Sequence, residues 1–189
     1  ASRRCAWRDS VEWNSRTMDG TPKLSIVVPV FNEAPRVVRG LQALNAYLAG
    51  FRVPGEVVVV DDGSTDDTVA LARPLVPATG QLLAEAHRGK GGAVRAGMLK
   101  ARGDYVIFLD IDIATPLSFI GPCLDRLEAG ADVVIGSRRS PDARIAGHQP
   151  RVRELLGQGF SFLSRVVTGA GVSDFTCGFK GFRRSAAQA

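Results

Sequence analysis

The chain has 189 residues, 45% of them apolar and 23% charged, with a net charge of +5. This composition excludes a disordered or collagen-like chain, and at this length one domain with a sizeable core is expected. No apolar run approaches the roughly 18 residues of a membrane-spanning helix, and no basic-then-apolar leader opens the sequence, so neither a span nor a signal peptide is expected.

Residues 1–22 read as an N-terminal tail, since Ala1–Gly20 mixes Arg, Ser and Asp with Trp7 and Trp13 and shows no period. Regular structure is expected from residue 23 to residue 189. Leu24–Val30 is a short β-branched run and predicts a buried strand. Pro35 then opens an amphipathic helix with Val37, Val38, Leu41, Leu44 and Leu48 at helical spacing. Glu56–Asp61 is apolar without alternation, which predicts a strand covered on both faces. The turn from Asp62 to Asp66 also caps a helix over Asp67–Arg73. A third strand is expected over Leu82–Glu85, a glycine-rich helix start at Gly89, a fourth strand over Asp104–Asp110, a helix over Pro116–Ala129 and a fifth strand over Asp132–Gly136. Ser137–Pro150 reads as a polar loop, Arg151–Thr168 as an amphipathic helix, and Ser173–Arg184 as a turn and a final strand. Strands alternating with helices predict an α/β fold with a mostly parallel sheet and helices on both faces.

Charge is unevenly placed. Residues 56–137 hold seven Lys and Arg against twelve Asp and Glu, whereas residues 138–189 hold nine against three. The acidic middle suits a metal, and the basic end suits phosphate or an anionic membrane surface; uneven solvated charge is the plainer alternative. Cys5, Cys123 and Cys177 are odd in number and widely spaced, so they fit neither a disulfide framework nor a metal site, and a reducing compartment is expected.

Ligands of open α/β sheets bind outside the carboxyl ends of the strands. Three predicted strand ends carry polar signatures: Asn32–Glu33, Asp61–Ser64 and Asp110–Asp112. In an extended segment Asp110 and Asp112 point to one side and Ile111 and Ile113 to the other. Two such carboxylates suit a hard divalent ion that also takes phosphate ligands, or are simply a solvated strand end. Asp61 and Asp62 suit a ribose or a base N–H, or equally a turn and a cap. His87–Gly92 opens a helix with glycines, which favours phosphate. It matches neither the P-loop nor the dinucleotide fingerprint, so an NTPase or a dehydrogenase is not supported. Asp174 and Lys180 flank an aromatic-rich segment that reads by itself as a packed strand with polar ends.

Taken in order, Ile26–Glu33, Val57–Asp66, Arg88–Arg95 with Gly97, Leu109–Asp112 and Asp174–Lys180 resemble the motifs of family 2 glycosyltransferases of the GT-A fold. The likeness runs from about Leu24 to Arg184 and leans toward the dolichyl- or polyprenyl-phosphate β-glucosyltransferase branch. It implies a nucleotide pocket lined by Pro29, Asn32, Glu33, Asp61, Lys90, Arg95 and Asp110. Asp110 and Asp112 would hold Mg²⁺ or Mn²⁺ against the diphosphate. Arg138 and Arg139 would lie near the acceptor phosphate, with Arg151, Arg153 and Lys180 as further contacts, and Asp174 would be a base or an orienting residue. The implied partners are a nucleotide-sugar donor, a lipid phosphate acceptor and a membrane surface, with no nucleic acid. The implied place is cytoplasmic, peripheral at the inner face of a membrane. The implied reaction is inverting transfer of a sugar, glucose from UDP-glucose. The alternatives are a mannosyltransferase using GDP-mannose and a nucleotide-sugar-binding domain without turnover. Relatives of this kind continue with further helices, so the chain is expected to be a catalytic domain cut short at its membrane-proximal end.

Overall fold

A computed structural model describes residues 21–136 and 177–189. Among these residues six strands form one sheet: β1 (Leu24–Val30), β2 (Gly55–Asp61), β3 (Gln81–Ala84), β4 (Tyr105–Leu109), β5 (Val133–Ile135) and β6 (Phe179–Arg183). Their order is β3-β2-β1-β4-β6-β5. β1 to β4 run parallel, while β6 lies antiparallel between β4 and β5. The helices are α1 (Ala34–Ala49), α2 (Thr68–Ala72), α3 (Lys90–Lys100), α4 (Ile120–Glu128) and α5 (Arg184–Ala187).

The central strands are β-branched because both their faces are covered. On one face Ile26, Val28 and Val30 pack with Val37, Leu41, Leu44 and Leu48 of α1 and with Leu124 and Leu127 of α4. On the other, Val27, Val58, Val60 and Phe108 pack with Ala93 of α3. Alternate residues of β1 therefore serve opposite cores. The four buried aliphatic side chains of α1 contribute about 6–12 kcal/mol of gross hydrophobic stabilisation.

Two predicted helices are shorter than their sequence pattern. The helix after β2 stops at Ala72 and passes into a 3₁₀ turn, Arg73–Leu75, where Pro74 has no N–H to continue the α-helical ladder. The helix expected from Pro116 is a 3₁₀ turn over Leu117–Phe119 followed by α4. The tail, the polar loop and the helix over 151–168 lie outside the described residues. Cys123 and Cys177 are buried free thiols, and burial pushes Cys123 up to about 12, so it is inert at neutral pH.

At the amino ends of the strands, Glu56 is fully buried on β2. Ser25 Oγ donates to it at 2.7 Å, Arg102 N–H at 2.7 Å and Arg102 Nε at 2.8 Å. Gln81 Nε2 donates at 3.2 Å. This network ties β1, β2, β3 and the α3–β4 loop together on the side away from the polar strand ends.

Candidate functional site at the carboxyl ends of the strands

The carboxyl ends of β1, β2 and β4 border a cleft of about 270 Å³. Its walls are Pro29 and Val30 at the end of β1, Phe31 and Glu33 after it, Asp62 after β2, His87, Gly89, Lys90 and Ala93 around the start of α3, and Asp110, Ile111 and Asp112 after β4. Five of the residues expected to bind donor or metal, Pro29, Glu33, Lys90, Asp110 and Asp112, thus share one cleft.

Asp110 and Asp112 reach it by a turn, which replaces the extended segment expected from sequence. β4 ends at Leu109; Ile113 N–H donates to the Asp110 carbonyl at 3.0 Å, and Ile113 sits at φ +52. A β-branched residue in that region is strained by about 1–3 kcal/mol, a cost that persists where surrounding contacts fix the loop. One such contact is Ile111, buried against Gly40 of α1, where a Cβ would collide with the Ile111 carbonyl. Asp112 is exposed and accepts the Ala114 N–H at 3.0 Å. Lys90 Nζ lies 2.6 Å from Asp110 Oδ1. Gly178 also stands against Asp110, where a Cβ would collide with Oδ2. That close approach brings the Cys177–Lys180 segment, distant in sequence, to the acidic turn.

Asn32 does not line the cleft. It is a strut between two loops, since short polar groups at a turn bond the nearest free backbone first. At φ +51 its amide oxygen accepts the Thr65 N–H at 2.9 Å, and its own N–H donates to Ser64 Oγ at 2.9 Å. Thr68 Oγ1 accepts the Glu33 N–H at 2.8 Å, and Asp66 accepts the N–H groups of Ala34 and Thr68. The Thr68 hydroxyl bond, above all, holds Asp66 below its usual value of 3.8. A lowered carboxylate pKa adds stability at neutral pH that is lost as pH falls through the lowered value. Asn32→Ala is expected to cost about 1–2 kcal/mol in urea unfolding, from one lost acceptor and an alanine held in left-handed backbone.

Asp61 is also set back from the cleft, because it is the last residue of β2 and faces inward. Its Oδ2 accepts the Ser64 N–H at 3.1 Å, while Oδ1 is buried without a partner among the described residues. The cleft wall is instead Asp62, nearly buried, with Oδ1 accepting the Arg88 N–H at 2.8 Å and Oδ2 lying 2.9 Å from His87 Nδ1. The His87 ring stacks on Phe31 with centroids 4.3 Å apart. Phe31, directly after β1, carries no sequence assignment, whereas Asp62 shares the ribose-or-base expectation with Asp61 and His87 heads the phosphate-favouring segment. Arg95 is exposed on α3 outside the cleft, five residues and about 140° around the helix from Lys90. Lys180 is outside it too: its ammonium lies 5.0 Å from the Phe108 ring centroid and donates to the Cys177 carbonyl at 2.8 Å. Asp174, Arg138, Arg139, Arg151 and Arg153 lie outside the described residues.

Among the described residues no three His, Cys, Asp or Glu side chains gather as a self-sufficient metal site. Two oxygen donors beside an open cleft do fit a hard divalent ion that completes its shell with phosphate and water, and they do not suit a soft metal.

The sequence model of glycosyl transferase family 2 matches residues 25–189. A human dolichyl-phosphate β-glucosyltransferase is 34% identical over 88% of this chain and 56% of its own length. Its Drosophila melanogaster counterpart is 36% identical, with the same coverage. The chain thus spans a little over half the length of these curated relatives. In structure, the glucosyl-3-phosphoglycerate synthase of Mycobacterium tuberculosis, solved with Mn²⁺ and UDP, aligns with a TM-score of 0.63 at 22% identity, covering 87% of this chain and 57% of that one. A mannosyltransferase from Pyrobaculum calidifontis, solved with GDP-Man and Mn²⁺, aligns at 0.60 and 24% identity over 87% of this chain and 45% of that one. The shared architecture is the GT-A fold. A parallel β1–β4 core with an acidic turn after β4, matched by the family from residue 25 onward, makes this chain a member of glycosyl transferase family 2.

Proposed function

We propose that the chain is the donor-binding part of an inverting transferase that moves glucose from UDP-glucose onto dolichyl or polyprenyl phosphate. The observation that carries this is the pair Asp110 and Asp112 beside Lys90 in one cleft at the strand ends. Asp110 and Asp112 would hold Mg²⁺ or Mn²⁺, which when bound stabilises the negative charge of a departing nucleoside diphosphate. Lys90 and the N-terminus of α3 add positive charge where that diphosphate lies. Phe31, on the cleft wall, offers an aromatic face to a base. Curated relatives support glucose; no observation favours the GDP-mannose alternative, since the mannosyltransferase shares only the fold.

A lipid monophosphate has a second pKa of about 6, so it is largely ionised at neutral pH and needs positioning more than deprotonation. Arg138, Arg139, Arg151, Arg153 and Lys180 are the proposed positioning cations, and Asp174 orients one of them or serves as base. No helix among the described residues is long and apolar enough to cross a membrane. The proposed setting is the cytoplasmic face of a membrane, where the acceptor resides, with the basic segment over 138–189 toward anionic lipid.

The test is transfer of labelled sugar to dolichyl phosphate in detergent with Mn²⁺, from UDP-glucose and GDP-mannose in parallel. Transfer from UDP-glucose is expected. Donor binding with neither transfer nor UDP release identifies a binding module instead. Gly178→Ala is expected to weaken Mn²⁺ binding in the presence of UDP by at least about ten-fold, because its methyl displaces the Asp110 carboxylate; titration calorimetry reads this.

A further inference from the structure

In this structure a side chain of the protein already stands where a cation would bind Asp110. Lys90 Nζ is 2.6 Å from Oδ1 and 2.8 Å from Oδ2 of that carboxylate, straddling it as a bidentate ion would. The backbone arranges this: Gly89, at φ +81, turns the chain so that Lys90 is the first residue of α3. A positive side chain is disfavoured at a helix start, whose free N–H groups carry partial positive charge, and Asp110 offsets that. The cleft wall also carries Glu33, Asp62 and Asp112, so without a cation its carboxylates would repel one another. Yet the contact is loose in energy. The Lys90 side chain is 55% exposed and that of Asp110 33%, and pairs in that setting contribute little. Lysine's flexible four-carbon stem lets the ammonium swing away.

We propose that Lys90 is a placeholder cation: it occupies Asp110 while the cleft is empty and passes to the diphosphate of the donor when a divalent ion takes Asp110. The inference rests on the donor-site reading above and adds an order of events to it. A metal arriving alone must displace the ammonium, which then has no new partner. A metal arriving with a diphosphate gives it one. Metal and nucleotide therefore reinforce each other's binding, and part of that coupling runs through Lys90.

The test is Mn²⁺ binding by electron paramagnetic resonance on the 189-residue chain, with and without UDP, at unchanged melting temperature. Lys90→Met is expected to bind Mn²⁺ alone about three- to ten-fold more tightly than the unmodified chain and to lose at least about three-fold of the UDP-induced gain. Lys90→Arg keeps the cation and is expected to keep weak Mn²⁺ binding. Arg88→Met removes a neighbouring cation that is not on Asp110 and is expected to change Mn²⁺ binding less than two-fold. Unchanged or weaker Mn²⁺ binding in Lys90→Met overturns the placeholder, and so does an equal gain in Arg88→Met. If no chain binds Mn²⁺ even with UDP, the donor-site reading fails and the placeholder falls with it.

Discussion

Asp110→Asn is expected to lower sugar transfer by about 10³-fold or more while leaving the fold intact. The carboxylate sits at the cleft, touches Lys90, and with Asp112 makes the pair in the turn after β4 that would hold a divalent ion. Asparagine keeps its size but not its charge. The ion would then have Asp112 alone, which is exposed and held by one backbone N–H. Loss of a preorganised electrostatic partner at a developing charge costs about 10²–10³-fold, and loss of a metal adds to it. Initial rates of label transfer and Mn²⁺ binding read the effect. Thermal stability should barely move, because Asp110 is partly exposed and its ion pair contributes little. A variant that keeps more than a tenth of the transfer rate would remove Asp110 from the metal role.

Arg102→Met is the opposite case, expected to lose about 3 kcal/mol of stability with transfer by the folded protein unchanged. Arg102 spans from the fully buried Glu56 to the Thr79 carbonyl, which it reaches at 2.7 Å. Removing it leaves a buried carboxylate without its cation, the costly way to break a buried pair. Ser25, Gln81 and the Arg102 backbone N–H still donate to Glu56, so the loss falls toward the low end of the usual range. Urea unfolding measures it. The two variants separate the ends of the sheet: amino ends fix stability, carboxyl ends carry the chemistry.

The strands were legible because burial on both faces demands one kind of residue. Val57–Val60 and Val106–Leu109 are apolar at every position, short and rich in β-branched residues, which together read as buried strand. The place of Asp110 and Asp112 at the end of β4 was legible, though not their turn, because polar groups directly after such a run have little other place to go. What failed were inferences about direction. Asn32 looked like a cleft residue, but its partners are Ser64 and Thr65, more than thirty positions away, and no local pattern announces that pairing. Asp61 and Asp62 were interchangeable on paper; only the end of β2 decides which one faces the cleft. Arg95 was a neighbour of Lys90 in sequence yet points away by helical phase, a correction that counting residues would have made. The antiparallel insertion of β6 between β4 and β5 depends on long-range pairing, and it is what brings Gly178 against Asp110.

The central claim is that this cleft binds a uridine nucleotide sugar together with a divalent ion. The direct measurement is the melting temperature with UDP-glucose, with Mn²⁺, with both, and with GDP-mannose plus Mn²⁺. Ligand at a hundred times its dissociation constant adds about 2.7 kcal/mol to apparent stability, which for a chain of this size is a rise of about 5–10 °C. The account predicts that rise for UDP-glucose and Mn²⁺ together, and much less for either alone or for GDP-mannose with Mn²⁺. No shift with UDP-glucose and Mn²⁺ together would contradict it.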